Sequence, residues 1–355
     1  MKKLYCVITT VQPPTNSVLQ LLSKLNQADG TLIVVGDLKG PEKYHCNSIR
    51  SSDSVRFLSL NDQSGLPFSL AEKLPVGHYS RKNIGYLWAI MEQAEMIYET
   101  DDDNAPMPHW EIRRQEVLQC RVVPKNLNRA GRPGGKWYNI YKNFSDKFIW
   151  PRGFPLDRIR QDVIPTEQLS VQKCSSPIQQ SLVNNSPDVD AIWRIVFDRD
   201  FDFSCTRDLS ILLSPGNWCP FNTQNTWFWP EAYPLLYLPS YCSFRMCDIW
   251  KSFIAQRCLW EQGLGIIFHA PDAVQKRNFH NIVQDLEHEM PGYLKNTEIA
   301  KLLESIPFTD RHSISDILYD CYDTLVRRGI FPKEEITLVE CWLKDLEEVS
   351  AVPKN

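Results

Sequence analysis

Met96-Ile97-Tyr98-Glu99-Thr100-Asp101-Asp102-Asp103-Asn104 decides how this chain is read. A short apolar run gives way to three consecutive carboxylates and then to Asn-Ala-Pro. The Pro prevents smooth continuation of either a helix or a strand. The stretch therefore reads as a buried strand whose C-terminal tip carries Asp101, Asp102 and Asp103 into solvent or a cleft. Adjacent carboxylates repel one another. A hard divalent cation relieves that repulsion, because Mg2+ and Mn2+ take carboxylate oxygens and share their shell with substrate phosphates. Acid clusters are equally common in turns and at helix N-caps, so on the motif alone both readings stand.

The segments before it set the context. Residues 4–10, 31–35 and 55–60 are apolar runs without strict alternation, and residues 17–25 carry Leu at helical spacing. Unalternating strands separated by helices predict a parallel sheet covered on both faces. Such sheets bind ligands beyond the C-terminal ends of their strands. Thr9-Thr10, Gly36-Asp37 and Asp101–Asp103 all fall at such ends. The next helix opens at Ser80-Arg81-Lys82-Asn83, with Ser80 as N-cap and Ile84, Leu87, Trp88 and Met91 as its buried stripe. Cations in a first turn suit a bound anion. Two solvated basic residues are the plain alternative.

Residues 105–155 lose regularity, with Pro at 106, 108, 124 and 133 and Gly at 131, 134 and 135. Arg152 follows among apolar neighbours, where an Arg either snorkels or pairs with an anion. Residues 178–182 read as a helix start, and 188–194 as a second helix with acids in its first turn. Residues 209–213 read as a strand. Asn222-Thr223-Gln224-Asn225-Thr226 lies between aromatics, where amides and hydroxyls orient sugar hydroxyls or satisfy a buried loop. Asp248 precedes an amphipathic helix over 249–260, either as its N-cap or as a carboxylate at the mouth of a site. From about residue 281 to 349 the pattern is helical, broken by Gly329 and Pro332.

Composition narrows the classes. The 355 residues are 43% apolar and 23% charged, ordinary for a globular chain with a real core. A net charge of -4 argues against a nucleic-acid binder with a broad basic face. No apolar run approaches the roughly 20 residues that span a bilayer. Residues 4–8 are too short for a signal peptide and read as a first strand. The 11 Cys show no CxxC, which favours scattered reduced thiols and a reducing compartment. Sequons at Asn143 and Asn184 are weak evidence for secretion. Most of the aromatic residues, including 11 Trp, read as core.

Seven ordered segments together resemble one family. They are Ser-Arg-Lys-Asn-Ile-Gly-Tyr-Leu-Trp-Ala-Ile (80–90), Tyr-Glu-Thr-Asp-Asp-Asp-Asn (98–104), Trp-Pro-Arg-Gly-Phe-Pro-Leu (150–156), Ile-Gln-Gln-Ser-Leu-Val-Asn (178–184), Asp-Val-Asp-Ala-Ile-Trp-Arg (188–194), Asn-Thr-Gln-Asn-Thr (222–226) and Asp-Ile-Trp-Lys-Ser-Phe-Ile-Ala-Gln-Arg (248–257). They are similar to segments of the STELLO-like glycosyltransferases, plant Golgi proteins linked to cellulose synthase assembly. The resemblance implies an α/β fold of GT-A type: a Rossmann-like nucleotide-diphospho-sugar transferase with a mixed, mainly parallel sheet and a helical C-terminal layer. On this division residues 1–105 are the nucleotide-sugar half, 106–280 the acceptor and catalytic half, and 281–355 a helical extension.

The resemblance also implies roles. A metal-dependent transfer from a nucleotide sugar, a UDP-sugar foremost, to a glycan, protein or small-molecule hydroxyl is expected, with Mn2+ or Mg2+ as cofactor. Asp101 and Asp103 would hold the metal, with Asp102 helping on the donor. Thr9, Thr10, Asp37 and Lys39 would line the nucleoside pocket, with Arg81 and Asn83 at the phosphate or base. Asn222, Gln224, Asn225 and Arg245 would face the acceptor sugar, and Asp248 would be the base of an inverting reaction. GT-A enzymes often add a late His to the metal, for which His269 and His280 are the candidates. A more distant likeness is to the reversibly glycosylated polypeptides, the UDP-arabinopyranose mutases. It matches Arg152 to their self-glycosylated Arg and leaves a mutase reading open beside that of a silent nucleotide-binding scaffold. The plant proteins carry a membrane anchor that this chain lacks, which points to a soluble, cytoplasmic protein or, with an anchor removed, to the Golgi lumen. Self-association is compatible with either.

Overall fold

The apolar runs of the first hundred residues become strands β1 (Leu4–Thr9), β2 (Thr31–Val35), β3 (Val55–Leu58) and β4 (Met96–Thr100) in the computed structural model. The structure describes residues 3–46, 54–125, 136–197, 199–276, 281–308 and 313–351. His280 and the glycines and proline at 131–135 lie outside the described residues. These four strands are mutually parallel in the order β3-β2-β1-β4. Helix α1 (Asn16–Gln27) covers one face: Leu4, Cys6 and Ile8 pack with Val18, Leu21, Leu22 and Leu25. Val7, Ile33 and Val35 point to the other face, under α4 (Lys82–Met91). Two short helices, α2 (Leu60–Ser64) and α3 (Ser69–Lys73), connect β3 to α4.

The sheet continues through strands from the middle of the chain: β5 (Asn104–Pro106), β6 (Glu116–Val123), β7 (Ser170–Ser175), β8 (Ile178–Asn184), β9 (Ser210–Leu213), β10 (Asn225–Phe228) and β11 (Ile266–Gln275). Its full order is β3-β2-β1-β4-β10-β8-β11-β9-β6-β7, with β5 paired to β11. Beyond β4 two antiparallel ladders are followed by parallel and antiparallel ladders in turn, so the sheet is mixed as expected. One expectation fails here. Residues 178–182 are not a helix start but part of β8, a central strand between β10 and β11. Gln179 and Gln180 are buried there with their amide N–H groups donating to the Gln115 carbonyl and to Asn222, an arrangement that local spacing cannot announce.

Helices α5 (Ala191–Phe197), α6 (Cys247–Glu261), α7 (Ile282–Ser305), α8 (Ile314–Arg327) and α9 (Glu334–Ser350) complete the fold. Every residue from Cys247 to Leu259 of α6 is buried, because α7 and α8 pack over the face that its polar residues would otherwise turn to solvent. Core contacts run without a break from Val7 to Val349. No helix among the described residues is long and apolar enough to cross a membrane.

Candidate functional site

The C-terminal ends of β1, β2 and β4 meet at a cavity of about 380 Å³. Thr9, Thr10, Asp37, Lys39 and all three acids of the 101–103 tip line one side. Arg152, Asp188, Arg194, Gln224, Arg245 and Asp248 line the other. Parallel register explains the first group, since β4 and β2 flank β1 and end level with it. The acidic tip is then held by the start of α1. Thr15 donates its hydroxyl to the Asp102 carbonyl, Thr10 donates to the Asp102 carboxylate, and Ser17 donates to the Asp103 carbonyl at 3.3 Å.

The three carboxylates differ in what they meet. Asp102 is taken up by Thr10. Asp103 accepts from the Gln275 amide at 3.0 and 3.1 Å. Asp101 accepts from the Tyr79 hydroxyl at 3.1 Å and lies 3.8 Å from Lys82 Nζ. Its carboxyl is pushed up to about 7, first by desolvation and then by repulsion from Asp103 and Asp102, against the pull of Lys82. Because that side chain is still 32% exposed, solvent screens the group and the shift represents little stored energy.

Asp37, at the end of β2, accepts from the backbone N–H groups of Gly77 and His78 at 2.7 and 2.8 Å. It thereby pins the segment that delivers Tyr79. Tyr79 opens a single turn of 3-10 helix ahead of α4, and the His78 side chain, not Ser80, caps that turn. Lys82 points down from α4, donating to the Thr100 carbonyl at 2.9 Å and to Tyr79 Oη at 3.1 Å. It supports the acids from below and is not part of a phosphate site.

Arg152 organises the opposite wall. Gly153 follows it at φ +85°, a conformation open to glycine, and a Cβ there would lie 2.4 Å from Ile249 Cγ2. The guanidinium donates Nε–H to Asp188 Oδ1 at 2.7 Å and an Nη2–H to Asp188 Oδ2 at 3.0 Å. A second fork runs from Nη1 and Nη2 to Asp248 at 3.0 and 2.7 Å. Nη1 also donates to the Arg245 carbonyl. Burial opposes the charge on Arg152, but the two carboxylates outweigh it and hold its pKa well above the ordinary value. Asp188, although buried, is kept below the usual carboxylate range by Arg152, with Arg245 and Arg194 adding to the effect. Arg245 itself is forked onto Glu289 at 2.7 and 2.9 Å.

Five expected site residues lie elsewhere. Arg81 is buried with Nε on Gln63 at 2.7 Å and Nη1 on the Leu74 carbonyl, because the turn before α4 rolls it away from the cavity. Asn83 clamps the backbone of Leu238 through both ends of its amide. Asn222 bonds Gln180, and Asn225 bonds Asp272 and Tyr98, so these amides satisfy buried backbone and side chains. His269 sits mid-strand in β11 with Ser210 on Nδ1 and Gln179 on Nε2, both at 2.8 Å. Burial depresses its pKa far below the normal range, and no ring nitrogen remains for a metal. Asp248 lies in the first turn of α6 and bonds the Ile249 N–H, while Met246 occupies the cap position. Tyr79 and Gln275 line the cavity without a sequence signal that marked them for it, whereas Asp188 and Arg194 come from the 188–194 segment, to which no site role was attached.

Residues 245–352 match the family model described as STELLO glycosyltransferases. Two curated Arabidopsis thaliana relatives extend the match. "Probable glycosyltransferase STELLO1" is 25% identical over 362 residues, covering 96% of this chain and 44% of that protein. "Probable glycosyltransferase STELLO2" is 26% identical over 314 residues, covering 82% and 39%. The chain is similar to the STELLO glycosyltransferases. It spans less than half the length of the curated relatives it matches. Among solved structures, M. tuberculosis glucosyl-3-phosphoglycerate synthase aligns at 9% identity and a TM-score of 0.39, over 87% of this chain and 82% of that one. A mycobacterial protein aligns at 10% and 0.37, over 94% and 76%.

Proposed function

We propose that this chain is a metal-dependent glycosyltransferase of GT-A type that moves a sugar from a nucleotide-sugar donor, a UDP-sugar foremost, to an acceptor hydroxyl. One observation carries the reading. A single cavity at the strand ends gathers the Asp101–Asp103 tip, the polar groups at the ends of β1 and β2, and a facing wall with a carboxylate, Asp248. The STELLO glycosyltransferase match over 245–352 supports it from the other end of the chain.

The acids fit a hard cation. Asp101 and Asp103 offer carboxylate oxygens from one short tip, and a divalent charge would relieve their mutual repulsion. Among the described residues no group of three or more His, Cys, Asp or Glu is placed to hold an ion by itself. Mg2+ characteristically takes one or two carboxylates and completes its shell with water and substrate phosphate. Asp101 and Asp103 would therefore hold Mn2+ or Mg2+ together with the donor diphosphate. Once bound, the cation supplies charge neutralisation for the leaving group. Thr9, Thr10, Asp37 and Lys39 border the nucleoside end. Asp248 takes the acceptor proton if the reaction inverts, and the Arg152 fork holds its carboxylate in place.

The mutase alternative fares worse. A guanidinium whose N–H groups are all donated, and whose charge is held by two carboxylates, has no lone pair to offer a sugar. Titration calorimetry with UDP and Mn2+ is the direct check. Metal-dependent binding should disappear in Asp101→Ala/Asp103→Ala, and unchanged binding would sink the metal assignment. A panel of labelled nucleotide sugars then separates the readings. Hydrolysis or transfer supports the transferase, label retained on Arg152 supports the mutase, and no binding across the panel leaves the scaffold.

A further inference from the structure

We propose that Phe244 is an acceptor platform and that the acceptor it receives is a neutral sugar ring, an inference that rests on the transferase reading above. The aromatic residues of this chain are overwhelmingly core, with Trp193, Trp218, Trp227 and Trp342 among the most completely buried side chains. Phe244 breaks the pattern. It is 54% exposed, and among the exposed large hydrophobics of the described residues only it and Val11 line the cavity. An aromatic ring left open inside a polar cavity is a ready contact surface, because its face pairs with apolar C–H groups while neighbouring side chains take hydroxyls.

The ring is held in place. It meets Tyr79 edge to face, with centroids 5.6 Å apart at 78°. Tyr79 is fixed in turn by Thr223 at 2.7 Å and Asp101 at 3.1 Å. Phe244 also begins the turn that runs through Arg245 into α6, so Asp248 follows one turn later on the same lip. A ring stacked on Phe244 would thus lie between the acids of the donor side and the carboxylate that takes the proton.

Charge selects the class of acceptor. The cavity presents Asp101, Asp102, Asp103, Asp188 and Asp248. Asp37 adds a sixth carboxylate, against Lys39, Arg152, Arg194 and Arg245. Arg152 is forked onto Asp188 and Asp248, Arg245 onto Glu289, and Arg194 donates to Ser186 and the Pro187 carbonyl, so the lining keeps an excess of negative charge. A phosphorylated or uronate acceptor would meet more repulsion than attraction. A neutral pyranose offers an apolar face for Phe244 and hydroxyls for Gln224, Asp248 and Asp188. In the transfer, the acceptor hydroxyl oxygen bonds the anomeric carbon as the bond from that carbon to the diphosphate oxygen breaks. The bonding pair leaves with the nucleoside diphosphate, and the hydroxyl proton passes to Asp248.

Two measurements test this. Saturation-transfer NMR needs no donor: maltose, cellobiose, lactose and xylobiose are offered to wild type, Phe244→Ala and Phe244→Trp, with glucuronate and glucose 6-phosphate as anionic comparisons. Signals from at least one neutral disaccharide, lost in Phe244→Ala and kept in Phe244→Trp, are expected. Absence of any neutral signal, persistence in Phe244→Ala, or preference for the anionic sugars overturns the proposal. The second measurement follows transfer from whichever nucleotide sugar the wild type turns over. Phe244→Ala should raise the acceptor KM about tenfold, the scale of one aromatic stacking contact, and move the donor KM far less. A matching loss of UDP affinity would assign the ring to the nucleobase and overturn the acceptor role. If wild type binds no nucleotide, the transferase reading fails, whereas the NMR result still decides whether Phe244 holds a sugar.

Discussion

At the guanidinium of Arg152 five donated N–H bonds converge on two carboxylates and one carbonyl, and charge balance on that wall depends on them. Removing the cation leaves Asp188 and Asp248 facing each other with little solvent. Arg152→Met should therefore destabilise the fold by about 3–5 kcal/mol, the cost of breaking a buried pair by losing one partner. Urea unfolding measures it. Arg152→Lys keeps the charge but cannot form two forks, so it should recover stability only in part. A Lys variant as stable and as active as wild type would show that the forks are dispensable. Asp101→Asn should leave folding intact, since its natural carboxyl is already crowded by like charge, while abolishing Mn2+-dependent UDP binding by calorimetry.

At the scale of elements, the acidic strand is tied to α6 through a buried ion pair. Lys251 Nζ lies 3.0 and 3.2 Å from the Glu99 carboxylate, and Tyr86 donates to the same group. Both charged side chains are essentially inaccessible. Lys251→Met alone should cost about 3–5 kcal/mol, but Glu99→Gln/Lys251→Met should recover most of that loss, because the desolvation of both charges is then avoided. Denaturant midpoints of the two variants decide it. The seat of α4 depends on a missing side chain. A Cβ at Gly85 would lie 2.6 Å from Val7 Cγ1 and 2.7 Å from Val35 Cγ2. Gly→Ala normally helps a helix by up to about 1 kcal/mol. Here overpacking reverses the sign, and Gly85→Ala should lower stability by about 1–3 kcal/mol.

Across the whole molecule, the C-terminal layer is joined to the cavity lip by Glu335 of α9. Its carboxylate accepts from Tyr237 Oη at 2.5 Å and from the backbone of Ser240 and Tyr241, just before Phe244. Burial nonetheless raises its pKa from 4.5 to about 7, outweighing those hydrogen bonds. A carboxyl whose pKa is higher folded than unfolded binds protons on folding. Its contribution is fully present below about 4.5 and is lost as pH rises through about 7. Unfolding free energy should therefore decline between those values by roughly 3 kcal/mol more in wild type than in Glu335→Gln. Equal slopes from urea titrations at several pH values would remove Glu335 as the cause.

What the amino-acid sequence determined by itself was the part governed by local chemistry. Apolar runs of strand length, Leu at helical spacing and carboxylates after a strand are all expressed within a few residues. β1, β2, β4, the C-terminal helices and the Asp101–Asp103 tip were therefore legible, and a parallel sheet placed Thr9, Thr10 and Asp37 beside that tip. What only the tertiary structure decided was which polar side chains are spent. Arg81 and Lys82 are adjacent, yet one is fixed by Gln63 and the other supports Asp101, because a single turn rotates them to different partners. His269 looked like a ligand until Ser210 and Gln179 took its two nitrogens. Residues 178–182 look helical alone and form a strand only because β10 and β11 pair with them. Arg152 reaches Asp188 and Asp248 across gaps of 36 and 96 residues. Such pairings arise only when distant segments pack, and packing also left the ring of Phe244 open in the cavity.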